Sequence, residues 1–69
     1  MYIFKKELKK DLLKGVTIRY LAEQIGISEV HLANLLNGRY GCRKTTAYCI
    51  VKFCDENKEI SDYFIVKNK

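Results

Sequence analysis

The sequence predicts an all-α fold: a compact four- to five-helix bundle, with a short C-terminal strand as an open option. Three observations predict it. Apolar residues return at i, i+3, i+4 and i+7 in several separate segments, the period of a helix buried on one face. Ser, Thr, Gly and Asn stand at the borders of those segments, where helices start and stop. The chain has 69 residues and 48% hydrophobic content, which suits one domain with one small core. The whole chain, residues 1–69, is read as that single domain.

The first helix is expected at about residues 3–14, where Phe4, Leu8 and Leu12 recur every four residues and Lys and Glu fill the other face. Gly15 then offers a left-handed stop at low steric cost. The second helix starts behind Thr17 as N-cap, buries Ile18, Leu21, Ala22 and Ile25, and ends at Gly26. The third starts behind Ser28, buries Leu32, Leu35 and Leu36, and ends at Asn37-Gly38. A loop over 39–43 leads to a fourth helix at about 43–55, with Ala47, Ile50, Val51 and Cys54 inward. In the tail, Ser61 can cap one more helical turn, or residues 63–66 can form a strand, since aromatic and β-branched residues are dense there.

Charge narrows the partners. Thirteen Lys and Arg against eight Asp and Glu give a net charge of +5, which favours polyanions. Cys42, Cys49 and Cys54 are odd in number and form no Cys-x-x-Cys pair, so a secreted disulfide scaffold is not expected. Cys49 and Cys54 fall within a helical pattern and read as small buried or half-buried apolar residues. A zinc site from the cysteines and His31 would need ligands from two helices at no recognisable spacing, so no metal is expected. No small-molecule cofactor is expected either. Lys5, Lys6 and Glu7 break the apolar start before it resembles a signal peptide, and no stretch approaches the ~20 residues of a membrane span. A cytoplasmic protein with no membrane partner is the expectation. An enzyme is not expected, because the single His is His31 and no Ser-His-acid, paired-carboxylate or phosphate-loop arrangement is visible.

The informative stretch joins the second and third helices. Ala22 is small where the two helices come closest, and Gly26 permits the positive φ of a sharp corner. Ile27 plugs the corner, Ser28 restarts the helix, and Leu32 and Leu35 anchor it from inside. Residues 17–38 thus read as a helix-turn-helix, whose second helix can lie in a DNA major groove. With Leu21, Ala22, Gly26, Ile27, Ser28, Leu32 and the run Leu35-Leu36-Asn37-Gly38-Arg39, the chain resembles the Cro and lambda-repressor type of DNA-binding domain over about residues 17–54. The resemblance implies five packed helices, a third helix that reads bases, and phosphate contacts at its end and just after it. It also implies a bacterial or phage regulator. Ile18 stands where that family commonly has Gln, and Cys42 where it commonly has Ser or Pro.

A helical wheel singles out the outer face of the third helix without the family. At about 100° per residue, Val30, Ala33, Asn34 and Asn37 lie opposite the three leucines, with Glu29 and His31 on the flanks. The face is small and uncharged, as close approach to base edges requires, or it is an ordinary solvated surface. Glu29, Val30, His31, Ala33 and Asn34 are the base-reading candidates. Asn34 can pair with adenine, Val30 can touch a thymine methyl, and Glu29 can accept from a cytosine amino group or simply complement the helix dipole. Thr17, Arg19, Asn37, Arg39, Tyr40, Arg43 and Lys44 are the phosphate-binding candidates.

The expected function is sequence-specific binding of double-stranded DNA in transcription control, as a repressor or Cro-like regulator. A homodimer is expected, because one short helix reads too few bases for specificity. Phe53, Tyr63, Phe64 and Ile65 are its candidate interface, unless they pack within their own chain. The alternative is a helix-turn-helix used to grip a protein, as an antitoxin or a phage inhibitor.

Overall fold

Dense runs of aromatic and β-branched residues stand at both ends of the chain, and the two runs pair. In the computed structural model, which describes residues 1–67, Tyr2–Phe4 form strand β1 and Phe64–Val66 form strand β2. They are antiparallel, with Tyr2 opposite Val66, Ile3 opposite Ile65 and Phe4 opposite Phe64. Beyond the strands the ladder continues, with the Lys67 amide donating to the Met1 carbonyl at 2.7 Å and the Lys5 amide to the Tyr63 carbonyl at 2.8 Å. On its other edge β1 exchanges two hydrogen bonds of 2.9 Å with Cys42. The loop behind the third helix is thereby sewn to the sheet.

Between the strands lie five α-helices: α1 (Lys9–Leu13), α2 (Ile18–Ile25), α3 (Glu29–Leu36), α4 (Lys44–Cys54) and α5 (Ile60–Tyr63). A 3-10 turn, Lys6–Leu8, precedes α1. The fold is therefore mostly helical, with a small two-stranded sheet.

The start of the chain departs from the expected helix over residues 3–14. Phe4 enters the core from a strand, Leu8 from the 3-10 turn and Leu12 from α1. Their spacing of four marks a shared destination and not a shared helix. The Tyr-Ile-Phe run favours strand by itself, and β2 supplies the partner that fixes it. The end of α1 also differs in detail. Lys14 adopts the left-handed conformation (φ 42°) one residue before Gly15 (φ 90°). The Lys14 ammonium sits 3.4 Å from Asp55 at the end of α4. The Asn57 amide, and then Lys14, hold the Asp55 carboxyl below its ordinary range.

The borders of α2, α3 and α4 fall where the sequence puts them. In the tail, helix and strand both form, in succession: α5 takes Tyr63 and β2 begins at Phe64. The cap of α5 is Glu59, in a capping box with Asp62, and Ser61 lies inside the helix.

One core joins these pieces. Leu12, Leu21, Leu32, Leu35, Leu36, Ile50 and Val51 are fully buried, and Phe4, Ala22, Cys42, Ala47, Tyr63 and Phe64 complete the cluster. Phe4 stacks on Tyr63 at 6.3 Å and meets Phe64 edge-on at 5.2 Å. Cys54 is half-buried as expected, whereas Cys49 is exposed, because it stands on the face of α4 opposite Ala47, Ile50 and Val51.

Gly26 lies at φ 82°, and a Cβ there would meet no atom within 4 Å. Replacing it costs conformational energy alone. Gly26→Ala should lower the unfolding free energy by about 1–2 kcal/mol, read as a lower urea midpoint at unchanged slope. An unchanged midpoint would show that the corner does not need a left-handed residue.

Candidate nucleic-acid interface

The candidate surface is built from both ends of α3 inward. Thr17 opens α2, its hydroxyl accepting the Tyr20 amide at 3.0 Å. Gly26 ends α2, and the amides of Gly26 and Ile27 both reach the Ala22 carbonyl, at 2.9 and 3.1 Å. Ser28 then caps α3 by accepting the His31 amide at 3.0 Å. Three residues, 26–28, thus stop one helix and start the next.

The far end of α3 is locked as firmly. Gly38 is left-handed (φ 75°) and donates to Leu35 at 3.1 Å, while the Arg39 amide donates to Asn34 at 3.1 Å. This pair of bonds is a Schellman closure, and it sends the chain from α3 directly into the basic loop. Leu32, Leu35 and Leu36 are fully buried beneath the helix.

Above them, the outer face of α3 is open. Val30 is 71% exposed, Glu29 and His31 are exposed, and Ala33 and Asn34 are half-buried. Val30 is thus a branched apolar side chain standing in water, and the outer face around it carries no Lys or Arg. Glu29 lies in the first turn of α3, where its charge also complements the helix dipole.

Thr17, Arg19, Asn37, Arg39, Tyr40, Arg43 and Lys44 are all exposed. They differ in what already holds them. Arg19 lies 3.8 Å from Glu23, and the Thr17 oxygen serves its own helix. Arg39, Arg43 and Lys44 form no ion pair among the described residues. All three belong to the segment that leaves α3 and enters α4. These three follow the outer face of α3 in the chain; exposed Lys6, Lys10 and Lys58, on other parts of the surface, form no ion pair among the described residues either.

Two contacts here were invisible in the sequence. Lys9, on the solvated side of α1, donates to Asn37 Oδ1 at 3.1 Å and orients that amide. Tyr40 does not stand free beside the helix: its hydroxyl lies 2.9 Å from His31 Nδ1 and 3.1 Å from the His31 carbonyl oxygen. The first links residues 28 apart and the second residues nine apart, each through a chain reversal, and no local spacing rule signals them.

The four candidate interface residues divide. Tyr63 and Phe64 are buried in the chain's own core against Phe4, which removes them from any surface. Their aromatic density marks the place where β2 closes on β1. Phe53 and Ile65 remain 42% and 53% exposed, and Phe53 lies 6.0 Å from the exposed Tyr20 ring. A groove of about 700 Å³ runs beside β2 and is lined by Tyr2, Lys44, Tyr48, Ile60, Phe64 and Val66, with no residue of α3.

Among the described residues, no group of three or more His, Cys, Asp and Glu is placed to hold a metal, and no helix is long and apolar enough to cross a membrane. Comparison with known proteins brings no match to a family model, a curated protein or a solved structure.

The thiols differ sharply in setting. Burial pushes the Cys42 thiol up to about 11, burial followed by the charge of Asp55 raises Cys54, and Cys49 faces solvent. Since the thiolate is the reactive form, a mild alkylating reagent at neutral pH should label Cys49 first, Cys54 more slowly and Cys42 only after unfolding. Peptide mass mapping over time reads the order, and early labelling of Cys42 would place it outside the core.

Proposed function

We propose that this protein binds double-stranded DNA sequence-specifically and regulates transcription, with α2 and α3 acting as a helix-turn-helix and α3 lying in the major groove. The observation that carries the reading is the pairing of two surfaces: an exposed, small, uncharged face on α3, followed at once by Arg39, Arg43 and Lys44 without ion-pair partners among the described residues. Val30, Ala33 and Asn34 suit close contact with base edges, and Glu29 and His31 add polar groups at the rim. The cations, with Thr17, Arg19 and Asn37, suit the phosphates on either side, whereas the Tyr40 hydroxyl is taken up by His31. The net charge of +5 supports association with a polyanion.

The protein acts as a symmetric dimer, because one eight-residue helix reaches too few base pairs to define a site. Phe53 and Ile65 are the exposed apolar residues among the interface candidates. A repressor or Cro-like role in a bacterial or phage setting, in the cytoplasm, follows from the resemblance carried by residues 17–54.

A second reading has its own support. Tyr20 and Phe53 present two exposed rings 6.0 Å apart on α2 and α4, the kind of anchor a protein-binding module uses. Selection from a random duplex pool separates the two. Regulation by DNA binding predicts enrichment of a paired motif whose half-sites lie about 10 base pairs, one helical turn, apart. A protein-binding module predicts no enriched duplex.

Arg39→Ala should weaken binding to the selected duplex and to random duplex alike, and should lower the slope of log K against log salt by about one. Titration at four salt concentrations measures both. An unchanged slope with an altered preferred sequence would make Arg39 a base reader instead.

A further inference from the structure

His31 is the single histidine of the chain, and it stands exposed in the first turn of α3. Its imidazole is held from the loop beyond the helix. The Tyr40 hydroxyl lies 3.1 Å from the His31 carbonyl oxygen and 2.9 Å from its Nδ1, with the two rings 5.2 Å apart. A hydroxyl carries one proton, and a carbonyl oxygen can only accept. With the Tyr40 proton donated to the carbonyl, the hydroxyl oxygen is left to accept. Nδ1 satisfies it only by carrying a hydrogen. A neutral imidazole has one N–H, so Nε2 keeps its lone pair.

We infer that Tyr40 fixes His31 as the Nδ1–H tautomer, and that the bare Nε2 makes His31 a specificity residue selecting an exocyclic amino group, that of adenine or cytosine, in the major groove. The base-selecting half rests on the proposed seating of α3 in that groove; the tautomer half does not. The discrimination is a matter of donor and acceptor. Adenine and cytosine each present an amino donor in the major groove, whereas guanine and thymine present acceptors alone. A lone pair on Nε2 meets a donor in the first two and faces another lone pair in the last two. Without Tyr40, the ring is free to place its proton on Nε2 and donate, which reverses the preference. Tyr40 is thus a positioning residue that acts through His31. Its hydroxyl is engaged within the protein and not on a phosphate, and its backbone lies beside Arg39.

Two measurements on the full chain test this. Long-range nitrogen–proton correlation at pH 8 reads the tautomer directly, and the single histidine removes any assignment problem. The wild type should show a protonated Nδ1 and a bare Nε2, and Tyr40→Phe should shift the population towards the Nε2–H form. Pool selection at the same pH then compares wild type, His31→Ala and Tyr40→Phe, with circular dichroism checking that each is folded. One position per half-site should reject guanine and thymine in the wild type. Discrimination there should fall on the order of tenfold in His31→Ala and by a smaller factor in Tyr40→Phe, with the other positions unchanged. A wild-type Nε2–H tautomer overturns the inference whatever DNA is bound. Identical preferences in all three proteins, with duplex binding retained, overturn it and leave the proposed function standing. Failure of the wild type to enrich any duplex overturns that function, and the base-selecting role of His31 with it.

Discussion

The structure depends on the burial of three leucines under one short helix. An eight-residue helix has no stability of its own in water. Leu32, Leu35 and Leu36 are each fully buried, worth about 1.5–3 kcal/mol apiece relative to exposure. They fix the rotation of α3, and so decide which residues face outward. Val30, His31 and Asn34 are presented because the leucines cannot be. The leucines share one buried cluster with Leu21 and Ala22 from α2, Ile50 and Val51 from α4, and Phe4 from β1. In a chain this short the surface of α3 is therefore a consequence of the core, and a change beneath the helix acts on the face above it.

The joined chain ends serve the same purpose from the other side. β1 pairs with β2 on one edge and with Cys42 on the other. Cys42 lies three residues after Arg39 and two before Lys44. Holding its backbone holds the route of the basic loop, whose start is already fixed by the Schellman closure at Gly38. The loop is thus anchored at its entry by helix geometry and near its exit by sheet hydrogen bonds. A cationic side chain on a fixed backbone loses less freedom on meeting an anion than one on a mobile loop. A two-stranded sheet is marginal alone; here the Phe4, Tyr63 and Phe64 rings on its inner side join it to the core.

What was legible in the sequence follows from the range of each interaction. Thr17, Gly26, Ser28 and Gly38 act on backbone groups within five residues, so their chemistry predicts their geometry, and the borders of α2 and α3 follow. The leucine spacing likewise gives the inward face of α3. Interactions that close over the length of the chain were not legible. Phe4, Leu8 and Leu12 imitate a helix period, and only β2, some sixty residues away, explains why Phe4 is extended. Tyr63 and Phe64 look like a sticky tail until Phe4 is placed against them. Cys49 was misplaced for a smaller reason: membership of a helical pattern says nothing about the face a residue occupies. At the candidate surface the residue types were visible and their couplings were not. Lys9 to Asn37 and Tyr40 to His31 both require knowing how the chain returns on itself.

Those two couplings bear on how so small a protein can hold polar groups in defined positions. Side chains on an exposed helix are mobile, and a mobile acceptor or donor discriminates poorly, since ordering it on contact offsets part of the gain. The Asn37 amide oxygen is held by Lys9 from α1, and the His31 ring is held by Tyr40 from the loop. Each restraint comes from an element outside α3 and therefore depends on the folded chain. The small side chains of the face, Val30 and Ala33, need no such restraint, because they have few rotamers to lose. The face is thus ordered by two means: residues with little freedom at its centre, and polar residues tied from outside near its ends. That combination costs little on contact and suits a surface whose partner presents fixed donors and acceptors. An adaptable partner would place no such demand on it.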